Sequence, residues 1–155
     1  MDEKARLAFL QDAYAGVLVD SVRHLGLAGV LESVTARKRA EQGAGGKRMA
    51  DRLGCATPAE VFRKVSDVFA CAVWDLEPDG NGFRATAKTC KLCALARRFN
   101  TEKPCEIYCL NPLEGMIRGV DPGSDFRVES TLWEGAECRV RVGRIGTETA
   151  GDRCG

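Results

Sequence analysis

Residues 89–109 read TCKLCALARRFNTEKPCEIYC. Within them lie Cys90, Cys93, Cys105 and Cys109, half of the chain's eight cysteines, spaced C-x2-C-x11-C-x3-C. Residues 90–99 predict a short helix, or a turn leading into one, with Leu92, Leu95 and Ala96 apolar. Residues 100–103 form a polar loop. Pro104 then opens a second helix over 105–120, with Ile107, Leu110, Leu113, Met116, Ile117 and Val120 as its apolar set. Pro112 falls inside that pattern and predicts a kink, or a split near Leu110 and Asn111. A cysteine-bearing helical pair with strand patterns on either side decides the fold class.

Before the pair, residues 71–76 alternate and are rich in strand formers. The cluster Asp79-Gly80-Asn81-Gly82 turns the chain, and residues 83–87 run back. This is a hairpin, with Val73 and Phe83 on its expected buried side. After the pair, Pro122 and Gly123 end the helical region. Residues 126–133 and 138–142 then form two strands joined around Glu134 and Gly135. Cys138 alternates with Val140 and Val142, so it faces their way, as core packing or as an additional thiol.

The first third of the chain is helical in pattern. Leu7, Leu10, Tyr14, Leu18, Val22 and Leu25 make one stripe over residues 3–25. His24, the only histidine, sits near that helix's end, where it suits the dipole. Residues 30–53 are more polar and gather Arg37, Lys38, Arg39, Lys47, Arg48 and Arg52. They predict a solvated helix, a flexible joint at 43–46 and a short second helix. The run GAGGKR is no phosphate loop: Glu41 stands where the first glycine belongs, and Arg48 where Ser or Thr would. Thr57, Pro58 and Glu60 are a capping box with proline at the first helical position. The helix that follows turns Val61, Phe62, Val65, Val68 and Phe69 inward. The expected architecture is α+β: N-terminal helices, then a small antiparallel sheet of four strands made from two hairpins, with the cysteine-bearing pair between them. One domain spans 1–155, with a helical part over 1–56, an α+β core over 57–145 and a flexible tail over 146–155.

With 155 residues, 23 basic against 22 acidic and 45% apolar content, the chain is an ordinary globular domain with room for a core. The charge balance offers no general attraction to nucleic acid or anionic membrane. The opening MDEKARLAF is not a basic leader, and the apolar run at 13–19 is too short to span a bilayer. A cytoplasmic location is therefore expected, where thiols stay reduced and clustered cysteines act as ligands or catalysts. A homo-oligomer is compatible with the composition, although no apolar seam is legible.

Cys90 and Cys93 flank a turn that brings both sulfurs to one point, and Cys105 and Cys109 share a helix face. Four soft donors suit zinc first, and an iron–sulfur cluster as the alternative. Buried free thiols or thiol redox chemistry also fit the spacing. A sharper alternative makes Cys105 a nucleophile, since it follows Pro104 at a helix start with Arg97 and Arg98 nearby. Glu106, Glu114, Glu129 and Glu134 would then be the carboxylates available as a base. Cys71 reads as core and Cys154 as an ordinary tail thiol. Trp74 and Trp133 pack on or beside the sheet, where they could wall a ligand pocket.

Between residues 85 and 142 the chain resembles the L-2-amino-thiazoline-4-carboxylate hydrolase-like family and, more distantly, the 4-vinyl reductase domain. The resemblance rests on Cys90, on Pro104-Cys105 with Cys109, on residues 113–120 and 126–131, and on Glu134-Gly135 with Cys138-Arg139-Val140. It implies an α+β domain with a ligand pocket between helices and sheet. The first family implies ring-opening C–N hydrolysis of a small heterocyclic acid, with Cys105, Cys109 and Cys138 as the residues carried across. The second implies binding of a hydrophobic small molecule, sometimes with zinc held by cysteines. The expectation is a metal-binding, small-molecule-binding domain, with the hydrolase as the alternative.

Overall fold

The structure is a computed structural model that describes residues 1–146. The tail beyond Gly146, with Cys154, lies outside the described residues. The elements run α1 (Glu3–Leu27), α2 (Leu31–Arg52), α3 (Pro58–Phe69), β1 (Asp75–Asp79), β2 (Gly82–Ala87) and α4 (Lys91–Arg98). A π-helical stretch (Glu106–Leu110) leads into α5 (Asn111–Val120), and β3 (Ser124–Ser130) and β4 (Cys138–Arg144) follow. The class is α+β, with one four-stranded antiparallel sheet in the order β1-β2-β4-β3.

Local chemistry explains the starts of α1 and α3. Asp2 caps α1, its Oδ1 accepting the Ala5 N–H at 2.7 Å. The capping box at α3 forms as expected, with Glu60 N–H on Thr57 and the Glu60 carboxylate on the Thr57 N–H. That carboxylate is held below its usual range by the Ala56 and Thr57 backbone donors. No described helix is long and apolar enough to cross a membrane.

Beyond Val68, expected inward on α3 but 41% exposed, three expectations need correction. The predicted stripe on α1 is buried only in its second half: Ala15, Leu18, Val19 and Val22 are buried, whereas Leu7, Leu10 and Tyr14 are exposed. At 25 residues the helix is about 37 Å long and overhangs the body it packs on. The flexible joint at 43–46 does not exist, because α2 runs unbroken through it. There the glycines let α2 and α5 touch backbone to backbone. A Cβ on Gly46 would sit 1.9 Å from the Gly115 carbonyl oxygen, and one on Gly119 2.4 Å from the Lys47 nitrogen. Close helix packing offsets the roughly 1 kcal/mol of helix propensity that each glycine forgoes.

The third correction concerns the first hairpin. β1 starts at Asp75, opposite Thr86, so residues 71–74 lie outside the ladder. Without a pleat to impose alternation there, Trp74 takes the core position and Val73 is 71% exposed. Trp74 meets Phe62 edge to face, with ring centroids 5.2 Å apart, and Phe83 meets the same ring at 5.7 Å. The inner sheet face carries Ala85, Ala87, Cys138, Val140 and Val142, all buried against α3 and α5. Cys138 thus faces the same way as Val140 and Val142, as their alternation predicts.

Candidate functional site

Three segments bring sulfur to one place. Cys90 is the N-cap of α4, in extended conformation, and its Sγ accepts the Cys93 N–H at 3.5 Å. Cys93 lies in the first turn of α4, and its Sγ is 3.5 Å from that of Cys105. Cys105 immediately precedes the π-helical stretch that holds Cys109. Cys138 opens β4, and its Sγ accepts the Leu132 N–H at 3.2 Å. All five line one cavity, together with Ala72, Trp74, Leu92 and Leu110. The cavity measures about 10 Å³, room for one water at most. The four cysteines of the central stretch are therefore brought together, with Cys138 as a fifth.

Pro112 shapes the wall that holds Cys109. It has no N–H to give, and an α-helical turn there would press its ring on the preceding carbonyl. The chain widens to a π turn, in which the Asn111 N–H reaches back to the Glu106 carbonyl. The Ile107 carbonyl accepts instead from Gln42 Nε2 of α2, at 2.9 Å. Gln42 Oε1 is the one buried side-chain polar atom without a partner among the described residues.

Four of these thiols, Cys90, Cys93, Cys109 and Cys138, are shifted toward their neutral form. The hydrogen bond to Cys105 is the main cause that pushes Cys93 up to about 12. Its hydrogen bond with Cys93, then burial, raises Cys90. Burial raises Cys109 well above the ordinary thiol range and lifts Cys138, which the Leu132 N–H opposes. No carboxylate or imidazole lines the cavity. His24 pairs with Asp20 on α1 at 3.5 Å, both largely exposed. All seven described cysteines are free, and among the described residues no group of three or more His, Cys, Asp or Glu converges on a single ion-binding point. The sulfurs lie instead in a chain of contacts from Cys90 through Cys93 to Cys105.

Cys105 is 4% exposed with its sulfur on Cys93. Arg97 turns away, over the Trp133 ring at 4.8 Å and onto the carbonyls of Leu132 and Trp133. Glu106, Glu114, Glu129 and Glu134 line a separate polar cleft of about 340 Å³. Each is paired there: Glu106 and Glu134 with Lys103, Glu114 with Arg39 and Arg118, and Glu129 with Arg84.

A second cavity of about 460 Å³ abuts the first and is walled chiefly by apolar side chains of α1, α2, α3 and α5. Cys90 and Cys109 belong to both cavities, and Cys71 joins the wall of the larger. Tyr108 crosses its side, with its hydroxyl 2.6 Å from Ser21 Oγ and Lys38 Nζ 6.0 Å from its ring centroid. Neither tryptophan lines this pocket: Trp74 backs the thiol cavity and Trp133 covers Arg97. Leu18, Val65, Phe69 and Leu113 read in the sequence as plain core, and only the surplus of basic residues on α2 hinted at a second use for that face. No family model, no curated protein and no solved structure matches the chain.

Proposed function

We propose that this chain is a metal-binding domain that also holds a small molecule. Cys90, Cys93, Cys105 and Cys109, with Cys138 as an additional thiol, bind one soft ion on the wall of the apolar pocket, and binding draws together side chains that without the ion touch only in the chain from Cys90 through Cys93 to Cys105. The observation that carries the reading is that five cysteines from three segments line one cavity of about 10 Å³.

Buried thiols also pack as small hydrophobes. Two backbone N–H groups aimed at sulfur, from Cys93 and Leu132, favour the metal reading, because such donors stabilise thiolate ligands. A divalent ion would supply the positive charge these neutral thiols lack and displace their protons. Zinc suits the set. With Zn–S near about 2.3 Å, tetrahedral sulfurs stand about 3.8 Å apart. The Cys93–Cys105 separation is already 3.5 Å. An iron–sulfur cluster carries several irons and inorganic sulfides, which ask for more room than this cavity offers. The burial of Cys105 and the absence of a base in its cavity favour a ligand over a nucleophile, and so binding over ring-opening hydrolysis.

The test is metal analysis and native mass of protein purified under reducing conditions without added metal. About one equivalent of zinc is expected, and cobalt substitution should give thiolate-to-metal charge-transfer absorbance. Less than about a third of an equivalent, with no such band on adding cobalt, would refute a tight site.

A further inference from the structure

The basic segment of α2 divides by partner. Arg39 pairs with Glu114 of α5 at 3.0 Å, and Lys47 pairs with Asp51 one turn on. Lys38, Arg48 and Arg52 instead border the 460 Å³ pocket. Lys38, Gln42, Gly45, Met49 and Arg52 follow one another at spacings of 4, 3, 4 and 3, which is a single helix face. Arg48 flanks that face, four residues before Arg52. Neither arginine has an ion-pair partner among the described residues, and Glu41 is the one acid on the pocket wall. Like charges four apart on a helix repel each other, and an anion between them removes the repulsion. Beyond the rim the walls are Leu53, Val65, Phe69 and Met116.

We infer that this pocket takes an amphipathic carboxylic acid, with its carboxylate on Arg48 and Arg52 and its hydrocarbon body inside. Guanidinium forks match a carboxylate bidentately, whereas an ammonium headgroup meets repulsion and a hydroxyl gains no charge-assisted bonds. The volume lies within the range of small-ligand sites. An acidic macromolecule fits less well. The pairing of Arg39 and Lys47 breaks up the basic surface, and the two free arginines stand at the edge of a concavity. The inference rests on the reading of this pocket as a small-molecule site and adds the class of ligand.

The experiment is calorimetric titration of the full chain, metal content as purified, with decanoate and with decan-1-ol. Decanoate should bind about tenfold more tightly, the scale of one charge-assisted contact. The Arg48→Gln/Arg52→Gln double variant, altered only at exposed positions, should lose that preference and keep its affinity for the alcohol. Gly45→Trp, which projects into the pocket, should abolish both. Equal affinity for acid and alcohol in the unaltered chain would overturn the carboxylate assignment and leave the pocket itself standing. Failure of both probes to bind would overturn the small-molecule reading, and the inference with it. A double variant that keeps the tenfold preference would likewise overturn the assignment to these arginines.

Discussion

The thiol cavity and the pocket beside it share Cys90 and Cys109 as a common wall, yet they are built from opposite materials. The first is nearly full. Its polarisable groups are in place, and what it lacks is charge, since each resolved thiol is held protonated by burial and by its sulfur neighbours. The second is a hollow of about 460 Å³ with charge at its rim and apolar walls. A cluster of soft donors takes a cation in exchange for its protons, and a charged rim over apolar walls invites an amphiphile. The difference lies in how each is assembled. Caps, a π turn and a strand start aim five side chains inward at the first cavity. At the second, one helix face stands off from its neighbours.

The largest effect is expected where the thiol cavity is broken. Cys93→Ala removes the sulfur that touches both Cys90 and Cys105. Metal content should fall below about a third of an equivalent. Because structural zinc contributes about 10–16 kcal/mol, against a total stability of about 5–15 kcal/mol, near-ultraviolet circular dichroism should show lost tertiary packing. Cys55→Ala is the control. Cys55 is equally buried but lies outside both cavities, so its loss should cost only about 1 kcal/mol and leave the metal in place. Equal behaviour of the two variants would dissolve the distinction between the cavity and ordinary core.

Next in size is the wall of the pocket. Gly46→Ala puts a methyl against the Gly115 carbonyl and must push α2 from α5, at a cost of about 2–4 kcal/mol by urea unfolding. Metal content should be unchanged, because no thiol of the small cavity lies on α2.

A pH titration separates the metal-free from the loaded cavity. An unfolded thiol ionises near about 8.5, while Cys93 in the fold does so at about 12. A folded value above the unfolded one gives stability that is complete below pH of about 8.5 and drains away as pH climbs toward 12. Metal-free, reduced protein should therefore weaken across that window. The loaded protein should not, since its thiols are already ionised and metal affinity rises as protons leave. Melting temperature against pH, with and without a chelator, reads both curves.

The smallest change tests the other glycine of the same run. A Cβ on Gly43 meets nothing within 4 Å, so Gly43→Ala should stabilise α2 by about 0.5–1 kcal/mol in urea unfolding. A loss instead would restore the flexible joint that the run suggests.

That pair of glycines shows where reading stops. Both sit in GAGG, and nothing local tells the open one from the one pressed on α5 some seventy residues later. The stripe on α1 fails in the same way: its period is right, and how much of it finds a partner depends on where the body ends. Trp74 replaces Val73 inside because strand pairing begins one residue beyond it.

By itself the sequence determined the α+β class, the capping box of α3, the turn between β1 and β2, and the nearness of Cys90 to Cys93. Each follows from residues within a few positions of one another, where backbone sterics and periodicity act. Only the tertiary structure decided that Cys138 joins the cysteines of the central stretch, that α2 is unbroken, and that two arginines without an ion-pair partner among the described residues stand over an apolar hollow. Those facts depend on which distant surfaces meet, and it is burial between elements far apart in the chain that selects them.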